Sequence, residues 1–347
     1  MSFQHSGEGE LLELFLGVPE ANRRGVFKIL AGEPKESGPP PFVPADAVKF
    51  QRWRIDGPKA WAAFQKMLAD FSPQALNTLN FLLDSAETYE KEKDPGFDIR
   101  RTLIGNLGDD LIRYEKAPRR TGPAEVDSAP WLLLVGSPNP EQLSAALKSV
   151  LIYLSQQVGT PPEEREFLGR KIYTVPLMPL PLPFLGAKFA GPHRLSYAAS
   201  GGYVALTTEV TMLEEYLRSG ESQSKGLRET PGLAEAAQRV TGPGTCLFGY
   251  RNQVEKMRAV FESARKNPAA ATNAMPATAA GLLPGAMALP GAGVQQSIRR
   301  WMDCSLLPPF DAVSKYFSFE VYGGSVTVDG LKLKLFAPVP AGMRGGK

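Results

Sequence analysis

The chain has little of what most enzyme chemistry uses. Its 347 residues include two histidines and two cysteines. Zinc or iron catalysis therefore lacks ligands: there is no HExxH and no paired-cysteine spacing. His5 sits in a terminal tail and His193 follows Pro192. No GxSxG elbow precedes a helix, so no motif assembles a Ser-His-Asp triad. Cys246 and Cys304 belong to no CxxC pair, and two readings stand: a bridge in an oxidising compartment, or two buried thiols. Long apolar runs are lacking too. The longest uncharged stretch, between Lys266 and Arg299, is interrupted by Pro268, Pro276, Pro284 and Pro290. A bilayer-spanning helix needs about 20 mostly apolar residues, so no transmembrane segment is expected and a linker is the better reading. The opening MSFQHSGEGELLELFL has no basic region ahead of an apolar core, so no secretory signal is read there.

Charge of one sign is equally scarce. Lys and Arg together number 39 against 36 for Asp and Glu, a net +3. Nucleic-acid binding needs clustered basic residues with stacking aromatics. Arg52-Trp53-Arg54 and Arg299-Arg300-Trp301 are the nearest matches, short and isolated, so no nucleic-acid partner is expected. Phosphate cradles are missing: there is no Walker motif and no GxGxxG, and the GNLGDD stretch at 105–110 ends in acids that repel a phosphate. It reads instead as a helix ending at glycine before a strand. Two SxxK matches, Ser222 to Lys225 and Ser263 to Lys266, have no SDN or KTG companion. A metal held by carboxylates alone would draw on Asp109-Asp110 or on Glu87, Glu90, Glu92 and Asp94, groups that a solvated helix end or turn also explains. No cofactor and no enzymatic activity are expected.

Glycine (34) and proline (31) are abundant, with 43% hydrophobic and 22% charged residues, the balance of a globular chain rich in loops. Composition divides it into residues 1–41, a segment with a Pro-rich linker that resembles the tail of an upstream domain; 42–266, a core; 267–298, an Ala/Gly/Pro-rich linker or insertion; and 299–347, a C-terminal helix and β-meander completing the core. Within 1–41, LLELFL is a short helix candidate. In the core an apolar strand runs into a polar turn and an amphipathic helix four times: VKFQRWRIDG before PKAWAAFQKMLADF, WLLLVGSPN before PEQLSAALKSVLIYLSQQ, YVALTT before EVTMLEEYLRS, and TCLFGYR before NQVEKMRAVFESARK. Asn139 then Pro140 supplies a cap and a pre-set first helical position. Leu143, Ala146, Leu147, Val150 and Leu151 share one helical face. Further helices are expected at 73–92 and 97–106. Gly201-Gly202 reads as a primed hairpin turn. SFEVYGGSVTVDGLKLKLF reads as a three-strand meander turning at Gly323-Gly324 and Asp329-Gly330, with Leu331, Leu333 and Leu335 buried and Lys332 and Lys334 solvated. The fold class is α+β: largely antiparallel sheets with helices packed on one face, built from repeated strand-turn-helix units and hairpins.

One surface candidate stands out. Tyr173 to Pro192 alternates prolines with Leu177, Met178, Leu180, Leu182, Phe184 and Leu185, a pattern suited to extended or polyproline backbone. Exposed, these residues form a contact patch; folded back, they cap the adjoining hairpin.

VPADAVKF (43–50), IGNLGDDLI (104–112), LLLVGSPNPEQLSAAL (132–147), LGRKIYTVP (168–176), SYAASGGYVALTTEVTMLEEYL (196–217) and LRETPGLAEA (227–236), with a closing TVDGLKL, together resemble an uncharacterised bacterial family, a domain of unknown function. The resemblance implies an exported or envelope-associated α+β repeat protein, and it carries over no catalytic residue. The expected function is that of a non-catalytic envelope-associated structural or interaction protein with a protein partner or self-association. The alternatives are a carrier of an apolar ligand such as a lipid, and an unrecognised hydrolase. Localisation follows as extracytoplasmic if the chain is a fragment of a longer exported precursor, and cytoplasmic otherwise.

Overall fold

The computed structural model describes residues 1–92, 94–117, 129–156, 162–177, 193–219, 225–266 and 306–343. Its frame is a 12-stranded sheet. In chain order the strands are β1 (Ser2–Ser6), β2 (Gly9–Leu16), β3 (Ala47–Arg54), β4 (Asp110–Lys116), β5 (Trp131–Gly136), β6 (Glu163–Phe167), β7 (Arg170–Leu177), β8 (His193–Ser200), β9 (Tyr203–Thr207), β10 (Thr245–Asn252), β11 (Phe319–Thr327) and β12 (Gly330–Pro338). Across the sheet they lie β1-β2-β12-β11-β10-β3-β4-β5-β9-β8-β7-β6, and every neighbouring pair is antiparallel. The α+β class and the antiparallel pairing agree with the sequence.

The strand-then-helix successions are present at the four places expected. The short α1 (Val26–Leu30) precedes β3, β3 leads to α2 (Gly57–Phe71), β5 to α4 (Pro140–Gln156), β9 to α5 (Val210–Ser219) and β10 to α7 (Gln253–Lys266), while α3 (Pro73–Lys91) follows α2 and α6 (Leu233–Val240) precedes β10. Asn139 caps α4, its Oδ1 accepting from the Gln142 N–H at 3.1 Å. The expected helix at 97–106 is a single π-helical turn, Arg100–Ile104.

The helices cover both faces, which corrects the expectation of one. Along a strand successive side chains point to opposite sides. Leu132 and Leu134 of β5 belong to one buried apolar cluster with Met212, Leu213, Tyr216 and Leu217 of α5, a cluster that runs on along the same face to Leu233, Ala236 and Val240 of α6. Trp131 and Val135 of the same strand pack with Leu143, Leu147 and Leu151 of α4. A sheet interior to the molecule on both sides needs an apolar layer on each.

Ser2–Ser6 and Gly9–Leu16, within residues 1–41, are two strands of this sheet. LLELFL is strand, not helix: Leu331, Leu333 and Leu335 of β12 stand opposite Leu16, Leu14 and Leu12 of β2. A six-residue apolar run fits either period, and the neighbouring β12 decides it. The Pro-rich stretch is held down as well. Val43 is fully buried, its carbonyl accepts from the Leu227 N–H at 2.8 Å, and the Glu33 N–H donates to the Arg54 carbonyl. At the other end, Gly323-Gly324 makes no turn, because β11 runs straight through it. A Cβ at Gly323 would strike the Val240 carbonyl and one at Gly324 would press on Leu247, so these glycines let α6 and β10 approach closely. The meander therefore has two strands. Leu331, Leu333 and Leu335 are half-buried rather than buried, as are Lys332 and Lys334. Gly201-Gly202 is the expected primed turn, with φ of +59° and +85°. No described helix is long and apolar enough to cross a membrane.

Candidate functional site

A cavity opens at one end of the central strands. It holds about 760 Å³ and is walled by Lys35, Arg52, Arg54, Asp109, Asp110 and Tyr203, among others. Its making begins with β3. Arg52 and Arg54, two residues apart, lie on one face, and Asp110 opens β4 directly opposite Arg54. Arg52 grips the Asp110 carboxylate in a fork: Nε donates to Oδ1 at 3.0 Å and Nη2 to Oδ2 at 2.8 Å. Arg54 Nη1 lies 2.9 Å from Oδ2, and the Tyr203 hydroxyl donates to Oδ2 at 2.8 Å. Asp110 is 7% exposed, so this carboxylate is both buried and fully partnered, as buried charges must be.

The donors left over tie down the Pro-rich strap. Arg52 Nη1 donates to the Gly38 carbonyl at 2.8 Å and Arg54 Nε to the Glu36 carbonyl at 2.7 Å. Extended, proline-rich backbone makes few bonds of its own, so its carbonyls are free to take these. Burial opposes the charge on Arg52, but the bonds and charge of Asp110 outweigh it and its pKa is raised. Burial, then the bond to Asp110, pushes the Tyr203 phenol up to about 12. Lys35 is hydrogen-bonded to Asp109 and holds that carboxyl below its usual range.

Glycines set the floor of the cleft. The Gly57 N–H donates to the Gly108 carbonyl at 3.0 Å and the Gly108 N–H to the Gly136 carbonyl at 2.7 Å. A Cβ on Gly108 would stand 2.6 Å from the Gly136 oxygen. The N-termini of α2 and α4 both border the cleft, but each is capped from within, by Asp56 on the Lys59 N–H and by Asn139. Four cations, Lys35, Arg52, Arg54 and Lys59, face four carboxylates, Glu33, Asp56, Asp109 and Asp110, in direct pairs. The arrangement clamps strands and strap together; its charges are spent on one another.

A second cavity of about 410 Å³ borders Lys116, which bridges Asp46 at 2.9 Å and Glu215. Among the described residues no group of three or more His, Cys, Asp or Glu is placed to hold a metal. Asp109 and Asp110 are taken up by Lys35 and the two arginines, and Glu87 by Lys91 and the Ile99 N–H. Cys246 is buried, which raises its thiol pKa, and His5 is exposed beside Glu10. Cys304 and Arg299-Arg300-Trp301 lie outside the described residues.

Of the expected contact patch, Leu177 ends β7, its backbone opposite His193. Met178, Leu180, Leu182, Phe184 and Leu185 lie outside the described residues. Tyr173 to Pro176 belong to a strand rather than a surface loop. Pro176 fits there because β6 begins at Glu163 opposite Thr174, so no described residue on that side asks for its missing N–H. The Asp110 cluster is what sequence reasoning missed. Its one legible signal is the pair of arginines two apart in a strand.

Three carboxylates in well-formed pairs give an acid limb to the stability. Lys148 and Lys171, each 2.9 Å from Glu164, bring its pKa from 4.5 to about 2; Lys59 lowers Asp56 and Lys35 lowers Asp109. A carboxyl depressed in the folded state stabilises above its unfolded pKa, and that contribution is lost as pH falls through the folded value. The urea midpoint is therefore expected to fall as pH drops from 4.5 toward about 2, and less steeply in a Lys148→Ala/Lys171→Ala variant. Equal slopes in the two proteins would remove Glu164 from the account.

No protein-family model, curated protein or solved structure matches this chain.

Proposed function

We propose that this chain is a non-catalytic structural or interaction protein that works through the apolar end of its sheet. One observation carries this. Directly opposed residues of antiparallel strands share a face, so Leu12, Leu14 and Leu16 of β2 and Leu335, Leu333 and Leu331 of β12 form a leucine lattice, which Phe3 of β1 extends beside Leu12. Leu12 is buried, Leu14, Leu331, Leu333 and Leu335 are half-buried, and the row opens to solvent at Phe3, 58% exposed, and Leu16, 49%. The helix packed at this end, α6, meets Val321 and Phe336 on the opposite face. A contiguous apolar surface at a sheet end is the mark of an interaction site. The carrier reading asks instead for an enclosed apolar cavity, and both cavities described above are walled by ion pairs. Envelope association and repeat architecture rest on the family resemblance and the four strand-helix successions, and belong to the same proposal.

Photo-crosslinking in the source cells tests it. A photoreactive residue at position 14 is expected to yield a discrete adduct, and one at Phe81, exposed on α3, none. Adducts from neither position, or equally from both, would overturn the assignment.

A further inference from the structure

The two edges of the sheet differ in a way that names a partner for the surface just described. β6, at one edge, reads Glu163-Glu164-Arg165-Glu166-Phe167. Paired antiparallel with itself about Arg165, it would set Arg165 against its own copy and Glu164 against Glu166, so charge guards this edge. β1, at the other, reads Ser2-Phe3-Gln4-His5-Ser6 and is exposed along its whole length. It has no Lys, Arg, Asp, Glu or Pro, and among the described residues its outer side is unpaired.

We propose that the chain self-associates by antiparallel pairing of β1 with β1 of a second copy, about a two-fold axis through Gln4. The proposal rests on the interaction reading and supplies its partner. The register is self-complementary: Ser2 meets Ser6 of the second copy, Phe3 meets its His5, and Gln4 meets Gln4. No like charges are opposed. The backbone agrees. The hairpin closes on Ser6 opposite Gly9, with Gln4 opposite Leu11 and Ser2 opposite Glu13. In an antiparallel ladder bonded and non-bonded pairs alternate, so these three residues face β2 and the N–H and C=O of Phe3 and His5 face outward. Those are the groups that the axis through Gln4 brings together. An isologous contact of this kind closes on itself and stops at two copies. Because the axis is perpendicular to the sheet, the leucine lattices of both copies lie on the same side and join through Phe3.

Sedimentation equilibrium of the full chain over a wide concentration range is the test. The wild-type chain is expected at twice its 37.6 kDa mass, dissociating on dilution. Phe3→Pro removes an outward N–H that the β1–β2 hairpin does not use, and is expected to abolish the dimer with unchanged circular dichroism. Gln4→Lys and Gln4→Glu each put like charges on the axis and are expected to weaken it several-fold, while a one-to-one mixture of the two restores a mixed dimer. A wild-type chain monomeric throughout would overturn the pairing, as would a dimer indifferent to all three substitutions. In either case a discrete adduct from position 14 to another protein keeps the interaction reading, and its absence ends that reading too.

Discussion

Asp110→Ala is expected to destabilise the chain by about 3–5 kcal/mol, the usual cost of breaking a buried ion pair from one side. The size comes from what is left behind. Arg52 and Arg54 have side chains only 10% and 14% exposed, and without Asp110 two neighbouring guanidinium groups on β3 are left with one distant carboxylate, Asp109 at 3.9 Å from Arg54 Nη1. The Tyr203 hydroxyl loses its acceptor as well. Tyr203→Phe, which removes one neutral donor and leaves the ion pairs, should cost about 1 kcal/mol. Asp110→Asn should fall between, because the amide keeps an acceptor oxygen but no charge. Urea unfolding midpoints at neutral pH give all three values. Loss of Asp110 should also free the strap, so amide exchange at 33–38 should quicken more than in the α4–α5 half of the sheet. A cost under about 1 kcal/mol for Asp110→Ala would mean that water replaces the carboxylate, as at an exposed pair, and that the cluster is no clamp.

The second large effect is at Gly108. Gly108→Ala is expected to cost about 3 kcal/mol, at the upper end of overpacking penalties. The new methyl would lie 2.6 Å from the Gly136 carbonyl oxygen and 2.7 Å from its carbon, and both are backbone. Gly136 cannot yield, since a Cβ-sized displacement there meets the Asp110 backbone at 2.9 Å. Gly38→Ala is the matched control from the same region: nothing lies within 4 Å of a Cβ there, so the change should be neutral or stabilise by a few tenths of a kcal/mol through the unfolded chain. Thermal or urea midpoints for the pair decide it. Equal midpoints would show that the floor of the cleft is looser than its distances imply.

Local chemistry wrote much of the secondary structure legibly. The α4 cap at Asn139-Pro140, the Gly201-Gly202 turn and the buried face Leu143, Ala146, Leu151 depend on neighbours a few residues away, and all were readable in one dimension. The errors fall where a distant strand or helix arbitrates. LLELFL has no period of its own strong enough to choose between helix and strand, and it is β12, more than 300 residues further on, that pairs with it. Gly323-Gly324 has the composition of a turn, and only the approach of Val240 and Leu247 makes straight glycine strand the better solution. The GEPKESGPPP stretch has the composition of a linker because proline removes donors; that it is docked depends on Arg52 and Arg54 offering theirs.

The candidate site was hidden for the same reason. Arg52 and Arg54 read as a weak basic cluster and Asp109-Asp110 as a solvated turn. More than 50 residues separate the two, with Tyr203 a further 90 along, and nothing in either stretch says that they meet. By itself the sequence determined what chemistry is scarce, the four strand-helix successions, and an antiparallel α+β sheet, because these follow from residue counts, alternation and turn geometry. Tertiary structure alone decided that the N-terminal residues complete the sheet, that helices cover both faces, and that the charges of the cleft neutralise each other. Pairing and burial act across the sheet, between residues whose separation along the chain leaves no local trace.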